Sequence, residues 1–353
     1  MGELEQKKKV PKLLSPVNCF EGGIRVIDAG ADEVYCGVTI PSVKDFVLYR
    51  GQGCEIPTYE DLAKLVKYAH NHQVKVVVTV NQPFMTGIIE KAIRNHIKNC
   101  LDKGVDALII GDMGILMIVK DMNVDTELYA STYMVSMNYE AVNFLGELGF
   151  QRVVLDRQLT MDEISEIVKH SNVEIEVFIH GGGCSNTNGN CYLYHFRFPA
   201  LARAVLATEG IIKTPCSQPY EVYELNNPTN NVEQVPIMDA FEFCSMCKLP
   251  ELMKTGVTGF KIEGRGEDIA YQETTTKIYR ELIDVLSKGD NDAFQKKLEF
   301  LKDGGFNPRT NALPNLREVY CTQKRCYYSP LFHPTYKVPL SWQAWTKSQF
   351  KVL

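Results

Sequence analysis

Long apolar runs are missing from this chain of 353 residues. No segment approaches the ~20 apolar residues that a membrane-spanning helix requires, and the first residues lack the apolar stretch of a secretory signal peptide. A strong excess of one charge is also missing, because the formal net charge is −5. The chain as a whole is therefore not drawn to nucleic acid or to anionic lipid. These absences predict a cytoplasmic protein without a membrane span.

The composition of the chain is that of an ordinary globular protein. Hydrophobic residues make up 45% of the chain and charged residues 23%, which are the values of folded domains. This composition excludes a mainly disordered chain, a collagen-like repeat and a coiled-coil rod. A chain of this length buries roughly three quarters of its extended surface, so a large hydrophobic core is expected.

The first 290 residues repeat one pattern: a short β-branched run, a turn and an amphipathic helix. The predicted strands cover residues 12–17, 33–37, 75–81, 107–111, 127–130, 152–156, 174–180 and 259–263. Most of these runs are continuously apolar, which is typical of parallel strands buried on both faces. The predicted helices cover residues 22–30, 59–73, 87–104, 113–122, 138–149, 161–171, 250–256 and 268–288.

Eight strands that alternate with eight helices predict an α/β fold of the (β/α)8 TIM-barrel class. A doubly wound open sheet is the competing architecture. It is disfavoured because no G-x-G-x-x-G follows the first strand and because the repeat stops at eight. We therefore predict one barrel domain over residues 1–290, followed by a C-terminal extension, residues 291–353, that packs on the barrel or on a partner.

Cysteine, by contrast, is abundant, with eleven in the chain. Five of them fall in one long insertion after the predicted seventh strand, residues 181–249: Cys184, Cys191, Cys216, Cys244 and Cys247. A connection of this length is usually functional, and it begins at the end of the barrel where active sites lie. Clustered cysteines in a cytoplasmic protein indicate metal or redox chemistry rather than disulfides.

The residues alone leave three interpretations of these cysteines open. The first is a set of buried free thiols. The second is structural zinc, although zinc sites usually have two C-x-x-C pairs and only Cys244 and Cys247 form one here. The third, which we favour, is an iron–sulfur cluster, because the sulfurs are irregularly spaced around a barrel mouth.

A further cysteine pair, Cys321 and Cys326, lies beside Lys324, Arg325 and Tyr327. A basic and aromatic patch of this kind can stack nucleic acid bases. Aromatic packing of this segment onto the barrel is the alternative. A second metal site formed with Cys247 is a third hypothesis.

Five short segments carry a resemblance to a known family. They are DAGADEVY at 28–35, ELYAST at 127–132, RVVLDR at 152–157, VFIHG at 177–181 and FKIEGR at 260–265. Together they resemble the U32 peptidase-like (collagenase-like) family over about residues 12–285. The family is named after an early protease assignment. The resemblance implies an oxygen-independent hydroxylase of tRNA wobble uridine, of 23S ribosomal RNA cytidine or of ubiquinone precursors, with prephenate as the implicated oxygen donor.

The resemblance also implies a four-iron cluster held by four cysteines. Cys184 and Cys191 match the family's pair after the His-Gly strand, Cys216 matches its Cys-x-Gln-Pro motif, and Cys244 matches the cysteine before its Leu-Pro-Glu-Leu helix. The pocket rim departs from the family pattern in three runs: Tyr220-Glu221 where RNA hydroxylases commonly have Cys-Arg, Arg157-Gln158 for Arg-Glu, and Val17-Asn18-Cys19 for Ala-Gly. These departures bear on the substrate rather than on the cluster.

Polar residues at the carboxyl ends of barrel strands project into the active-site mouth. Asn81 and Thr132 are therefore candidates to bind substrate. Arg157 and Arg265 are candidates to bind the carboxylate of a small anionic molecule such as prephenate, because a guanidinium binds carboxylates bidentately. An internal ion pair with Glu263 or Asp156 is the alternative for both arginines.

Two further residues are candidates for proton transfer. His180 ends the predicted seventh strand, and Glu263 ends the eighth; imidazole and carboxyl groups are the usual acids and bases of enzymes. The alternatives are a structural hydrogen bond for His180 and the orientation of Arg265 for Glu263.

The sequence therefore predicts an iron–sulfur-dependent enzyme that hydroxylates or similarly modifies a ring or an RNA base without molecular oxygen. A metal-dependent or cysteine peptidase is the first alternative, although neither H-E-x-x-H nor G-x-S-x-G is present. A non-catalytic cluster-binding subunit with a paralogous partner is the second. The sequence does not identify the substrate or the role of Cys247.

Overall fold

The structure is a computed structural model, which describes residues 10–43, 54–81, 87–184, 186–190, 220–221, 234–235, 242–303, 320–321 and 326–328. Its strands are β1 Lys12–Pro16, β2 Glu33–Cys36, β3 Lys75–Val80, β4 Ala107–Ile110, β5 Glu127–Ala130, β6 Arg152–Val154, β7 Glu174–Gly182, β8 Tyr220–Glu221, β9 Gln234–Val235, β10 Glu242–Cys244 and β11 Gly259–Ile262. Its α-helices are α1 Phe20–Asp28, α2 Tyr59–Asn71, α3 Gly87–Asp102, α4 Met113–Met122, α5 Tyr139–Glu147, α6 Met161–His170, α7 Leu249–Thr255, α8 Ile269–Ser287 and α9 Asn291–Lys302.

Eight parallel strands close into a barrel. Strands β1 to β7 pair in chain order, β7 pairs with β11, and β11 pairs back with β1. The predicted (β/α)8 barrel is therefore confirmed, and the ends of the predicted strands and helices lie within two residues of those observed. Among the described helices, none combines the length and the apolarity that crossing a membrane would require.

Alternation along the strands separates the core into two layers. Leu13, Val34 and Val76 belong to the large cluster that the strands share with the surrounding helices. The next residue on each strand, Leu14, Tyr35 and Val77, belongs to a smaller cluster inside the barrel. Successive strand side chains point to opposite faces, and both faces are buried here, which explains the continuous apolar runs in the sequence.

Four strands and helices described after the seventh strand were not predicted: the antiparallel pair β8 and β9, strand β10 and helix α9. Strand β10 pairs antiparallel with the end of β7 and places Cys244 opposite His180. Helix α9 begins after the Asp290 cap, whose side chain accepts from the Ala293 N–H. Its buried residues Phe294 and Leu298 join the barrel's outer core. This helix follows α8 without an intervening strand and lies in the predicted C-terminal extension, residues 291–353.

A group of paired charges, which we call the floor cluster, combines the first residues of three strands, Glu33, Arg152 and Glu174, with Glu176 and Lys261 from within β7 and β11. Arg152 is inaccessible to solvent, and its guanidinium bonds to Glu33 at 2.5 Å, to Glu174 at 2.8 Å and to Glu176 at 3.0 Å. The Lys261 ammonium lies 3.0 Å from Glu176. Charges are almost never fully buried unless they are paired, and each member of the cluster meets this condition.

Candidate active site

A cavity opens at the carboxyl ends of the barrel strands. It has a volume of about 440 Å³, part of it open to solvent. Five of the candidate residues contribute to its wall: Asn81, Thr132, Arg157, Glu263 and Arg265. They come from four different strand ends, and the closed barrel brings them together because the carboxyl ends of its parallel strands face the same side.

Arg157 and Glu263 form an ion pair across the cavity wall. Arg157 Nη2 lies 2.6 Å from Glu263 Oε2, and the guanidinium stacks 4.5 Å from the centre of the Phe178 ring. The internal pair that the sequence left as an alternative for Arg157 is therefore present. It fixes the position of the Glu263 carboxylate in the cavity.

The end of β7 packs closely against Glu263. Gly181 has φ +100°, which is the left-handed region, and a Cβ there would lie 2.5 Å from the Glu263 carbonyl oxygen. The Glu263 N–H donates to the His180 carbonyl at 2.9 Å. A glycine is required at this position, because any larger residue would push β7 away from the candidate acid–base group.

Arg265 follows β11, the eighth strand of the barrel, and lines the same cavity as the ion pair. It is 8% exposed, its Nη1 donates to Thr79 Oγ1 at 2.9 Å, and its backbone carbonyl accepts from the Asn18 amide at 2.8 Å. Its guanidinium also lies 5.8 Å from the centre of the Tyr35 ring. Arg265 is thus a positioned cation at the mouth of the barrel.

Asn81 and Thr132 bring hydrogen-bonding groups to the opposite wall. The Asn81 amide donates to Ser131 Oγ at 3.1 Å. Within the part of the chain that the structure describes, the carbonyl oxygen of Asn81 and the hydroxyl of Thr132 are buried without a hydrogen-bond partner. Buried polar groups are normally satisfied, so a ligand in the cavity is a natural partner for both.

Lys261 is a cavity residue that the sequence analysis missed. It lines the wall together with Glu263 and Arg265, and its ammonium lies 4.2 Å from the centre of the Tyr35 ring. Burial lowers the pKa of Lys261, although Glu176 opposes this effect. Positions 261, 263 and 265 alternate along one strand and its extension, so the period of two was the signal that would have identified it.

His180 does not line either cavity described here. Its side chain is fully buried, its Nδ1 lies 3.2 Å from the Tyr279 hydroxyl, and its ring packs near Tyr271 and Tyr320. The proton-transfer role of His180 stays a prediction, and its observed surroundings are those of a hydrogen-bonded core residue.

Asp156 is a buried carboxyl next to the Arg157 ion pair. It is 4% exposed, and its Oδ1 accepts from the Arg157 N–H at 2.8 Å. Burial outweighs this bond and the nearby guanidinium and raises the pKa of Asp156 to about 6. Asp156 was weighed as an ionic partner of the arginines, but the ion pair of Arg157 is made with Glu263.

Replacement of Asp156 by asparagine is expected to stabilise the protein at neutral pH by up to about 3 kcal/mol, which is the pKa difference of about two units expressed as free energy. A carboxyl with a raised folded pKa loses stability as the pH rises, here between pH 3.8 and about 6. Urea unfolding of both proteins at several pH values measures the difference. It should shrink toward zero only as the pH falls below 3.8, and Asp125→Asn on the exposed surface provides the control.

A second cavity of about 340 Å³ adjoins the first and shares Arg157 with it. Cys184 and Cys326 both line it, together with Phe243 and Tyr327. The Cys184 sulfur accepts from the Asn186 N–H at 3.3 Å. Such backbone bonds to sulfur are typical of thiolates that hold metals or clusters.

Cys244 lies on the other face of β10 from Phe243. Its sulfur lies 3.9 Å from the Tyr279 hydroxyl, and burial raises the pKa of this thiol to about 12 although the Met246 N–H donates to it. The other two cysteines of the predicted ligand set, Cys191 and Cys216, lie outside the described residues. Among the described residues, no three His, Cys, Asp or Glu side chains are arranged to hold a metal ion.

The sulfurs of Cys247 and Cys326 are close neighbours. The Cys326 thiol donates a hydrogen bond to Cys247, and this bond, with Lys302 and Lys248 nearby, outweighs burial and lowers the pKa of Cys247 to about 6. Cys247 is exposed and Cys326 is half-buried. The hypothesis that Cys321 and Cys326 form a second metal site with Cys247 stays a prediction, although this contact brings two of the three sulfurs together.

Comparisons with known proteins find relatives over most of this chain. A 23S rRNA 5-hydroxycytidine synthase of Escherichia coli K12 is 32% identical over 282 residues, 79% of this chain and 40% of that protein. An uncharacterized protease of Methanocaldococcus jannaschii is 30% identical over 299 residues, 82% of this chain and 69% of that protein. The tRNA hydroxylation protein P2 of Bacillus subtilis is 30% identical over 249 residues, 69% of this chain and 78% of that protein.

The chain thus spans less than half of the E. coli enzyme and about three quarters of the B. subtilis protein. The profile of peptidase family U32 matches residues 19–309, which include the barrel from helix α1 onward and helix α9. The chain belongs to peptidase family U32.

Proposed function

We propose that this protein is an enzyme that hydroxylates a base of RNA. The observation that carries the proposal is the cavity at the carboxyl ends of the strands, into which Asn81, Thr132, Arg157, Glu263 and Arg265 converge. Two relatives are named for the hydroxylation of 23S rRNA or tRNA, and this supports the choice of reaction. The polar and aromatic side chains that line this cavity suit a single unstacked pyrimidine base, which such sites hold by hydrogen bonds and stacking.

The base is held on the wall formed by Asn81 and Thr132. Amide and hydroxyl groups read the edges of bases by hydrogen bonds, and these two side chains have buried acceptor atoms without partners in the described part of the chain. A base must leave its stack to enter such a pocket, as in other enzymes that modify nucleobases. Because the net charge of the chain is −5, the attraction for RNA has to come from local cations such as Arg265.

Glu263 is the proton-handling group in this proposal. It is the acidic side chain among the described residues that line the cavity, and Arg157 holds its carboxylate in place at 2.6 Å. A positioned carboxylate can take a proton from the ring atom that is modified and return it later. Arg265 and Lys261 supply positive charge for a small anionic co-substrate, such as prephenate, or for the RNA phosphate.

A four-iron, four-sulfur cluster held by Cys184, Cys191, Cys216 and Cys244 completes the proposal. The donor chemistry fits: the Cys184 and Cys244 sulfurs each accept a backbone N–H, and Cys184 lines a cavity that adjoins the first through Arg157. When bound, such a group supplies one-electron transfer. Zinc is the alternative for these thiolates. In this proposal the cysteine-rich segment 181–249 is an insertion in the barrel domain, and it supplies all four ligands of the cluster.

The cofactor is tested by anaerobic purification and by counts of iron and acid-labile sulfide. We expect about four of each per chain, and we expect Cys184→Ala to lose most of both. Cys54→Ala changes a cysteine of similar partial exposure outside the ligand set, so it should keep its iron. Near-stoichiometric zinc without sulfide would contradict the cluster.

The reaction is tested by mass spectrometry of nucleosides from ribosomal and transfer RNA. Cells that lack this gene should lose one base modification that carries an added oxygen, and the wild-type gene should restore it. Unchanged nucleosides in both RNA classes would contradict RNA as the substrate. Cleavage of gelatin that persists after removal of the cluster would favour the peptidase that one relative's name suggests. Restoration that requires a co-expressed paralogue would favour a subunit role.

A further inference from the structure

Residues Cys326–Tyr328 of the C-terminal extension, which we call the strap, are hydrogen-bonded to the barrel rim. Cys326 forms a parallel β-bridge with Cys244, and the Tyr327 N–H donates to the Cys244 carbonyl at 3.1 Å. The Tyr327 hydroxyl donates to the Gly182 carbonyl at 2.8 Å, and the Tyr328 hydroxyl donates to the Phe178 carbonyl. All three strap residues line the second cavity opposite Cys184.

The thiols of Cys247 and Cys326 link the strap to the turn after β10. Cys247 lies in the short 3-10 helix Met246–Lys248, it is exposed, and it accepts a hydrogen bond from Cys326. The ammonium groups of Lys248 and Lys302 lie nearby and favour a negative sulfur at position 247. Two cysteines in contact, one of them exposed, form the arrangement of redox-sensitive cysteine pairs.

We propose that Cys247 and Cys326 form a redox-active pair that closes to a disulfide when the protein meets a peroxide. The Cys247 sulfur attacks one peroxide oxygen, the O–O bond breaks, and the leaving oxygen takes a proton to become water. The Cys326 sulfur then attacks the resulting sulfenic acid at Cys247, the S–O bond breaks, and its oxygen leaves as a second water. The two thiols supply two electrons, which reduce one peroxide.

The disulfide would fasten the strap covalently over the second cavity. Because Cys326 lines this cavity and Cys247 lies outside it, the new bond would hold the Tyr327 and Tyr328 hydroxyls on β7, the strand that leads to Cys184. Oxidation would therefore act on the surroundings of Cys184 without using Cys184 itself. The pair is independent of the proposed hydroxylation, and its chemistry can be measured without RNA.

Tryptic mapping tests the pair, because trypsin places Cys247, Cys321 and Cys326 in three different peptides. Cleavage after Lys248, Lys324 and Arg325 places Cys247 at the end of one peptide, Cys321 in a second and Cys326 in a third. After treatment of the full chain with hydrogen peroxide, we expect a reducible cross-link between the first and third peptides and the loss of two free thiols. The 318–324 peptide with Cys321 should remain reduced.

Matched variants assign the bond. Cys216 and Cys244 share their tryptic peptide with Cys247, so Cys247→Ser and Cys326→Ser should each abolish the cross-link, whereas Cys321→Ser should leave it unchanged. A cross-link that survives in Cys247→Ser would overturn the proposal. So would a pair that stays reduced in peroxide while the purified protein holds zinc that Cys247→Ser releases, because the thiols would then form a metal site.

Discussion

Replacement of Arg152 by alanine is expected to lower the free energy of unfolding by about 3–5 kcal/mol, the usual result of breaking a buried ion pair. The guanidinium is buried against the carboxylates of Glu33, Glu174 and Glu176. Its removal would leave these carboxylates without this cation. Whole domains have only about 5–15 kcal/mol of stability. Urea unfolding followed by circular dichroism measures the loss, and we expect little soluble protein above room temperature.

The loss of stability in Arg152→Ala is expected to become smaller as the pH falls. In the wild type, burial raises the pKa of Glu33, but the bonds to Arg152 and to Lys12 outweigh it and the net pKa is lowered. Glu33 therefore contributes stability above its unfolded pKa of about 4.5, and this stability is lost as the pH falls through the lower folded value. Without Arg152, burial prevails and the folded pKa rises. The difference between variant and wild type should then narrow as the pH falls toward 4.5.

An exposed ion pair provides the control for Arg152. Arg25 is 57% exposed and lies 3.2 Å from Glu273, so Arg25→Ala should cost no more than about 1 kcal/mol. An equal loss in both variants would show that the floor cluster contributes no more than a surface pair. A defect that grows at low pH would show that the carboxylates are not the source of the destabilisation.

The fold could be predicted from the sequence because its strands are short, buried and evenly spaced. Residues such as Val76–Val78 are apolar on both faces, and this pattern alone identifies a parallel strand covered by helices. Helix α9 was not predicted because it lies beyond the repeat of strands and helices. It follows the closed barrel, so the expected repeat gave no reason to look for it, although Phe294, Leu298 and Leu301 have the spacing of one buried helix face.

The floor cluster could not be recognised from local patterns. Arg152 and Glu33 are 119 positions apart, and a charged residue at the start of a strand usually faces solvent. Only closure of the barrel, which brings the first residues of β2, β6 and β7 together, turns these charges inward. Lys261 was missed because it lies inside an apolar run, and its partner Glu176 comes from the neighbouring strand.

The candidate site was easier to predict than the cysteine cluster. Asn81, Arg157 and Glu263 follow strand ends directly, so the topology alone assigns them to one mouth. The cysteines come from a long insertion, where spacing does not fix which sulfurs meet. Alternation on β10 places Phe243 in the second cavity and directs Cys244 toward Tyr279, which no sequence motif indicated.

Replacement of Glu263 by glutamine is expected to lower the rate of RNA base hydroxylation by about 100- to 10,000-fold, which is the usual contribution of a general acid or base. Glutamine keeps the size of the side chain and can still accept a hydrogen bond from Arg157, so the fold should persist. Counts of iron and sulfide should equal those of the wild type, because Glu263 is not among the proposed ligands. Single-turnover measurement of hydroxylated nucleoside by mass spectrometry gives the rate.

The matched control is Glu166→Gln on the exposed surface of helix α6, where Glu166 pairs with His170 and is 56% exposed. This variant should hydroxylate RNA at the wild-type rate. If Glu263→Gln also retained that rate, Glu263 would only position Arg157 and Arg265, and the proton would have to move through another group. If its rate fell together with its iron content, the carboxylate would act on the structure of the site rather than on the reacting base. A loss of rate at full iron content, with the thermal midpoint unchanged, is the result that assigns proton transfer to Glu263.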